Sequence, residues 1–264
     1  TFHKFARDFA QRAGIPFREP REDRDKANFW SNDAAEILLQ SLAVYPDERY
    51  DAVIVDEAQD FDPVWWLPVE AMLRDKNQGI LYVFYDPNQQ IYGKGPAAEL
   101  GLKSTSLKYN CRNTQKIAEY SCEFVDIEAV IKPGTPAGTD VLTRSCSTEP
   151  EMVDTVRKLL HEIIAVNKVA TDRVVVLTTM SQRFSPVFKA GKLGNFSLVG
   201  LENQPNAHEV RFSTLHRYKG LEADVVILCD VQPNAADSTP MHLYVATSRA
   251  RHLLAVCRYT GKSS

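Results

Sequence analysis

The sequence predicts an α/β protein with parallel sheets, and three observations support that class. Two apolar runs, Ala52–Val55 and GILYVFYD at 79–86, lack the alternation of a half-exposed sheet, which is typical of strands covered by helices on both faces. Helical patterns alternate with them, DAAEILLQSLAV at 33–44 and PVWWLPVEAMLRD at 63–75. The second half repeats the pattern, with a helix predicted at 150–166 and strands at RVVVLTT, ADVVILCDV and HLLAVCRY.

Composition sets limits on the class of protein. The 264 residues suffice for one large or two ordinary domains. No apolar run is as long as a membrane span and no leader precedes a cleavage site, so we expect a cytoplasmic protein. Five cysteines without a C-x-x-C pair and six scattered histidines disfavour a disulfide framework or a structural zinc site, and Cys229 and Cys257 are expected in the core. A net charge of −3 neither supports nor excludes a nucleic-acid partner.

The pattern also predicts how the chain is divided. Gly, Pro, Lys and Ser accumulate at 93–106, which indicates a linker between a first domain at 1–103 and a second at 104–264. Apolar residues at helical spacing predict an opening helix over about 3–13. Because residue 1 is Thr and the chain begins abruptly before this helix, we expect it to be part of a longer protein.

Polar side chains follow both strands of the first half. Asp56 and Glu57 come directly after the first strand, and Gln89 lies just beyond the second. In parallel sheets ligands bind at such strand ends. Asp56 would suit Mg²⁺ and Glu57 would suit a base for water attacking a phosphate, although an isolated Asp-Glu pair fits a solvated turn equally well. The chain contains no G-x-x-x-x-G-K-[ST] phosphate loop, and we interpret VCRYTGKSS as a tail because Val256 replaces the first Gly.

Longer motifs resolve this ambiguity. The sequence DEAQD resembles the Walker B motif of superfamily-one helicases of the UvrD, Rep and PcrA type. VFYDPNQQIYG resembles their third motif, LKYNCRNT the fourth, VRFSTLHRYKGLEADVVIL the fifth and LYVATSRARHLL the sixth. The opening Thr-Phe-His resembles a segment that follows the phosphate loop in that family. Order and rough spacing match across nearly the whole chain.

The resemblance implies a fold and an activity. We expect two RecA-like P-loop NTPase domains with parallel sheets, the first incomplete at its N-terminus because the phosphate loop lies upstream of Thr1. ATP and Mg²⁺ are the implied cofactors and single-stranded DNA the implied partner of an ATP-dependent DNA helicase. DNA repair, recombination and defence against foreign DNA all stay open as its pathway. This chain alone is expected to be inactive. The compact DEAQD form resembles helicases with an upstream nuclease-related domain, so a nuclease domain or protein partner is also expected.

Family roles carry over to particular residues. Asp56 would hold the metal, Glu57 would activate water, and Gln89 would contact the γ-phosphate or the attacking water. Arg112 and Arg249 would act as arginine fingers, the alternative for each being a surface salt bridge.

The other predicted site residues contact nucleotide or DNA. Gly220 would permit close backbone approach and Glu222 would contact the ribose. The predicted DNA-binding residues are Thr1, His3, Tyr92, Lys94, Thr214 and His216. Tyr92 offers a stacking face. Lys94 stands where the family has a stacking Trp, so a phosphate contact is expected there instead.

Three other interpretations stay open on sequence alone. A non-catalytic DNA-binding or regulatory module would retain the same fold. A kinase or other P-loop enzyme would explain the Asp-Glu pair but not TLHRYKGLE or ATSRAR. A nuclease would use the carboxylates directly.

Overall fold

The structure is a computed structural model that describes residues 1–91, 100–232 and 235–260. Its chain divides into two compact units, Thr1–Ser104 and Thr105–Ser264. Each unit has its own sheet and its own buried apolar clusters.

The first unit combines helices with a small parallel sheet. Its helices are α1 (Phe2–Ala13), α2 (Asp23–Asn28), α3 (Ala34–Val44) and α4 (Trp66–Ala71). Its strands are β1 (Ala52–Val55) and β2 (Ile80–Val83), which pair in parallel from Ala52 opposite Ile80 to Val55 opposite Val83. A π-helical turn at Phe29–Asp33 leads into α3, and short 3-10 turns follow each strand.

Helix α1 follows from its capping residues. The Thr1 hydroxyl accepts the Lys4 N–H at 3.4 Å, and Gly14 ends the helix in the left-handed conformation with φ of 66°. The face that it buries packs against α3 and consists of Phe2, Ala6, Phe9 and Ala10. The predicted opening helix is therefore confirmed.

The sheet of the first unit departs from the prediction. Val55 is buried, but Ile54 is 67% exposed and Tyr82 on β2 is 58% exposed. The inward face of the strands packs with Trp66 and Val69, while no described element covers the other face. Coverage on both faces was thus wrong for β1, because no helix among the described residues packs on the face that carries Ile54 and Tyr82.

The second predicted helix is shorter than the sequence suggested. A 3-10 turn at Pro63–Trp65 precedes α4, and α4 ends at Ala71. Leu73 instead forms a bridge with Tyr50, and the Arg74 N–H donates to the Tyr50 carbonyl at 2.9 Å. This pairing with a distant segment ends the helix before the predicted boundary at residue 75.

The second unit has a seven-stranded sheet with the order β3-β9-β8-β4-β7-β6-β5. Its strands are β3 (Leu142–Cys146), β4 (Val174–Thr178), β5 (Lys192–Leu193), β6 (Phe196–Val199), β7 (Glu209–Thr214), β8 (Ala223–Val231) and β9 (Ala250–Tyr259). Its helices are α5 (Gln115–Glu123), α6 (Glu149–Leu160), α7 (Pro186–Ala190), α8 (Leu215–Tyr218) and α9 (Pro240–Thr247). All pairs are parallel except β5 with β6.

Helices cover both faces of this larger sheet. Residues of α6 and α7 join one core with alternate residues of β4, β8 and β9, and this core includes the buried Cys229 and Cys257, as predicted. The intervening strand residues are buried as well, and α5, α8 and α9 contact the same strands. The predicted strands β4, β8 and β9 are confirmed, whereas the predicted helix at 150–166 changes to a π-helical turn after Leu160.

Candidate functional site

The acidic cluster of the first unit lies where β1 ends. Asp56 is exposed, and its Oδ1 accepts the Glu57 N–H at 2.9 Å. Glu57 has φ of 55° and ψ of 39°, the left-handed region that costs a non-glycine residue on the order of 1 kcal/mol. The Ala58 N–H donates to the Phe84 carbonyl at 3.0 Å, which fastens this turn to the segment after β2. Strained turns of this kind cluster at functional sites.

A chain of hydrogen bonds joins the two strand ends. The Gln59 amide donates from Nε2 to Glu57 Oε2 at 2.5 Å, and its Oε1 accepts the Asp86 N–H at 3.1 Å. Asp86 Oδ2 in turn accepts from Gln89 Nε2 at 2.7 Å. The structure thus brings together the predicted residues Glu57 and Gln89 through Gln59, which is 2% exposed. Sequence analysis assigned no role to Gln59 or Asp86, although both are polar residues at strand ends.

The cluster has the donor chemistry of a magnesium site. Asp56 presents a carboxylate to solvent, one oxygen of which is engaged by a backbone N–H. Within residues 1–91, 100–232 and 235–260, no three His, Cys, Asp or Glu side chains form a ready-made metal cluster. Mg²⁺ commonly takes only one or two carboxylates and completes its shell with water and phosphate oxygens. Asp56 therefore fits a Mg²⁺ that arrives with a phosphorylated ligand.

In the second unit, two predicted nucleotide residues meet directly. Arg112 Nε donates to Glu222 Oε2 at 2.9 Å, although the residues are 110 positions apart. Arg251 Nε lies 3.6 Å from Glu222 Oε1, and Arg251 Nη1 lies 3.7 Å from Asp224 Oδ1. Gly220, just before this group, has φ of 81°, which glycine adopts without strain. The half-exposed ion cluster occupies the amino ends of β8 and β9.

A buried asparagine holds the Arg112 loop in place. Asn113 is 4% exposed, and its Nδ2 donates to the carbonyls of Ser248 at 3.0 Å and Ala250 at 2.5 Å. The Thr114 N–H adds a bond to the Arg251 carbonyl at 3.1 Å. Sequence analysis missed Asn113, since its partners lie more than 130 residues away.

Arg249 differs from Arg112 in its surroundings. The Arg249 side chain is 1% exposed, with Nε donating to the Val245 carbonyl at 2.9 Å and Nη2 to Ser248 Oγ at 3.0 Å. Contact with a bound nucleotide would require the guanidinium to leave this position.

A small cavity adjoins the ion cluster. It measures about 170 Å³ and is lined by Glu222, Arg251, Arg211 and Tyr218, among others. Burial raises the pKa of Tyr218 to about 12, so its hydroxyl stays protonated at neutral pH.

The predicted DNA-binding residues fall in two places. Thr1 caps α1, and the exposed His3 ring packs edge-on against Trp30 with centroids 4.2 Å apart. In the other unit, Thr214 ends β7 and caps α8, and it lines a cavity of about 370 Å³ together with His216. The predicted residues Tyr92 and Lys94 lie outside the described residues.

No helix in the part of the chain that the structure describes is long and apolar enough to cross a membrane.

Comparison with protein families agrees with the motifs. Both units are α/β, with sheets that are entirely or mainly parallel. The UvrD/REP helicase N-terminal domain matches residues 2–99, and the UvrD-like helicase C-terminal domain matches residues 209–257. These matches together cover more than half of the chain. The chain belongs to the UvrD-like family of superfamily-one helicases, and its fold is that family's two-domain RecA-like fold.

One solved structure that matches part of the chain is the C-terminal domain of a possible DNA helicase from Lactobacillus plantarum WCFS1. Its sequence is 21% identical, the TM-score is 0.41, and the alignment covers 58% of this chain and 89% of that one. No curated protein matches the chain.

Proposed function

We propose that the protein containing this chain is a motor that hydrolyses ATP with Mg²⁺ and uses the energy to move along single-stranded DNA. Family membership supports a helicase-type function. The observation that carries the proposal is the hydrogen-bonded chain from Glu57 through Gln59 and Asp86 to Gln89. It joins a water-activating carboxylate to an amide suited to sense a phosphate.

Each residue of the first unit has a distinct role in this proposal. A Mg²⁺ ion, when bound, would neutralise charge on the β- and γ-phosphates, with Asp56 as its protein ligand. Glu57 orients the attacking water and accepts its proton, and Gln59 fixes one oxygen of that carboxylate. Gln89 contacts the γ-phosphate, so that a shift of Gln89 reaches Glu57 through three hydrogen bonds, by way of Asp86 and Gln59.

The second unit would supply cationic groups for the phosphates. Arg112 and Arg249 stabilise charge on the γ-phosphoryl group, and Glu222 contacts the ribose. Nucleotide binding must then exchange the Arg112–Glu222 pair for contacts with phosphate and ribose. Because both partners are about 40% exposed, we expect that exchange to cost less than about 1 kcal/mol.

The DNA contacts of the proposal rest on sequence motifs. Single-stranded DNA is bound by Thr1, His3, Thr214 and His216. The proposal adds Tyr92 and Lys94 on sequence alone. The 264 residues contain no phosphate loop sequence. We therefore propose that these residues alone do not hydrolyse ATP.

The test is ATP hydrolysis by the full-length protein, with and without a single-stranded oligothymidylate. We expect DNA to stimulate hydrolysis and Glu57→Gln to reduce the rate at least about 100-fold, as for loss of a general base. Equilibrium binding of an ATP analogue should be retained in this variant. The matched control is Glu36→Gln, which changes an exposed carboxylate on α3 and should leave the rate unchanged.

Other results would favour the rival functions. Absence of hydrolysis in wild type would indicate a non-catalytic DNA-binding module. Cleavage of DNA with Mg²⁺ and no ATP would indicate a nuclease. Hydrolysis by the 264-residue chain at the full-length rate would contradict its proposed inactivity.

A further inference from the structure

The larger of the two cavities described above, which Thr214 and His216 line, lies at the carboxyl ends of β4 and β7, which are neighbours in the sheet. Ligands of open α/β sheets bind outside such strand ends. Its lining combines the polar residues Ser181, Gln182, Thr214, His216 and His242 with the carboxylate of Asp237 and the apolar side chains of Met180 and Ala236. Two of these residues, Thr214 and His216, are already proposed to contact DNA. Hydroxyl, amide and imidazole groups are all suited to phosphate oxygens.

We propose that His242 is a further DNA-binding residue, which forms with His216 a histidine pair that holds a backbone phosphate of the single strand more tightly at acidic pH. This inference rests on the proposed function, because it assumes that a single strand is bound. It adds His242 to the predicted DNA-binding residues and makes the affinity for DNA depend on pH.

The geometry of the two rings supports a shared ligand. Their centroids are 5.5 Å apart with planes at 76°, and both rings line the cavity. Thr239 Oγ1 lies 2.6 Å from His242 Nδ1 and also accepts the His242 N–H at 3.4 Å. The hydroxyl has two acceptor lone pairs, so in the protonated ring Nδ1–H can donate to Thr239 Oγ1 while the backbone N–H does the same. Nε2–H of the protonated ring is then the group left to donate to a phosphate.

Hydrogen bonds hold Thr179, one of the residues that line the cavity, in place. Thr179 Oγ1 donates to the Asp230 carbonyl at 3.2 Å, and Ser238 Oγ donates to Thr179 Oγ1 at 3.1 Å. The Gln232 N–H donates to Ser238 Oγ at 3.3 Å. These bonds tie the loop after β4 to the end of β8, so the lining is positioned before a ligand arrives.

Protonation of His242 is unfavourable without a ligand. Burial lowers the pKa of His242, the neighbouring His216 lowers it further, and Asp237 acts in the opposite direction. Among the described residues, His216 on α8 and Asp237 before α9 are the titratable groups that act on His242. A phosphate against the rings favours their charged form and raises both pKa values. Binding then takes up protons, so affinity rises as pH falls through the bound-state pKa and levels off below the free-state pKa.

The test is fluorescence anisotropy of a labelled oligothymidylate with the wild-type protein at pH 7.5 and pH 5.8, at constant ionic strength. We expect wild type to bind roughly fivefold more tightly at the lower pH, within the limit of tenfold per pH unit for one coupled proton. His242→Gln should lose most of this increase. The matched control His161→Gln changes an exposed histidine on the π-helical turn after α6 and should keep it.

The outcomes separate the inference from the proposed function. A pH response in His242→Gln equal to that of wild type overturns the inference and leaves DNA binding intact. Absence of wild-type binding at both pH values overturns DNA binding itself and the inference with it. If inorganic phosphate displaced the labelled oligomer as effectively as unlabelled oligomer does, the cavity would be a site for a free anion. That result would overturn the proposal that it binds a phosphate of the DNA strand.

A second measurement tests the inference even if His242→Gln does not fold. The ring protons of His242 in the wild-type protein are titrated by NMR with and without oligothymidylate. A pKa that rises on addition of the strand supports the inference, and an unchanged pKa overturns it.

Discussion

The two sheets of the molecule are built from similar sequences but are covered differently. Strand β4 reads VVVLT, and each of its residues is buried between flanking strands and helices. Strand β1 reads AVIV, and it leaves Ile54 67% exposed beside the 58% exposed Tyr82. An uninterrupted apolar run therefore specifies a strand, whereas its coverage depends on elements contributed from elsewhere in the chain.

The functional groups differ in the same way. The first unit holds its polar residues through a short relay that includes the buried Gln59. The second unit presents Arg112 and Glu222 on its surface but fixes their supporting residue, Asn113, inside. The first group thus joins two paired strand ends 27 residues apart in the chain, whereas the second depends on partners 135 residues apart.

The largest expected effect comes from a matched pair of isoleucines. Ile227→Ala, at a fully buried position of β8, should lower the free energy of unfolding of the second unit by about 2–5 kcal/mol because it leaves a cavity. Ile54→Ala, on the exposed face of β1, should cost the first unit less than about 1 kcal/mol. Hydrogen exchange of peptides from each unit measures both. An equally large loss from Ile54→Ala would mean that this face is covered in solution.

Gln59→Leu should have the next largest effect. It removes the amide that bonds Glu57 and the Asp86 N–H, so we expect local stability to fall by about 1–3 kcal/mol. Urea unfolding of the variant checks this value. Gln40→Leu, at an exposed position of α3, is the control and should change stability by less than about 0.5 kcal/mol. A neutral Gln59→Leu would show that the relay adds no stability.

Asp230 should make the stability of the second unit depend on pH. Burial raises the pKa of this carboxyl above its ordinary 3.8, although hydrogen bonds from Ser185 and Thr178 oppose the rise. The folded state then binds the proton more tightly than the unfolded state, so the free energy of unfolding falls as pH rises from about 3.8 through the folded pKa.

Asp230→Asn tests this dependence, because Asn cannot ionise and also tolerates the positive φ of 60° at this position. The stability of the variant relative to wild type should increase with pH in urea titrations between pH 4 and pH 7. A constant difference over that range would contradict the raised pKa.

The smallest effect is expected for the surface ion pair. A double-mutant cycle with Arg112→Met and Glu222→Gln should give a coupling energy below about 1 kcal/mol, which decreases further at high salt. Thermal unfolding of the four proteins measures it. A coupling above about 2 kcal/mol would show that nucleotide must break a strong contact, contrary to the proposed exchange.

Local signals predicted the elements with strong caps or long apolar runs. Gly14 ends α1 as expected, and β8 spans Ala223–Val231, the predicted segment. The short strand β3 was missed because its residues lack a clear apolar pattern. Strand β7 was also missed, although EVRFST alternates polar residues with the buried Val210 and Phe212. Helix α4 ended early because of a pairing with Tyr50, which no local signal reveals.

The site was predictable to the extent that motifs name its residues. Glu57 and Gln89 follow strands, and the structure joins them. The roles predicted for them stay predictions until activity is measured. The burial of Arg249 and the bridging position of Gln59 could not be predicted, since both depend on packing between segments distant in sequence or on side-chain orientation.

The Asn113 amide has a mechanical consequence. It binds the carbonyls of Ser248 and Ala250, the residues on either side of Arg249, while its own chain neighbour is Arg112. The backbones that carry the two arginines are therefore fastened to each other through one amide. Under the proposed function, a displacement of either segment would carry both backbones together, whereas each guanidinium would still have to leave its present hydrogen-bond partner to reach the nucleotide.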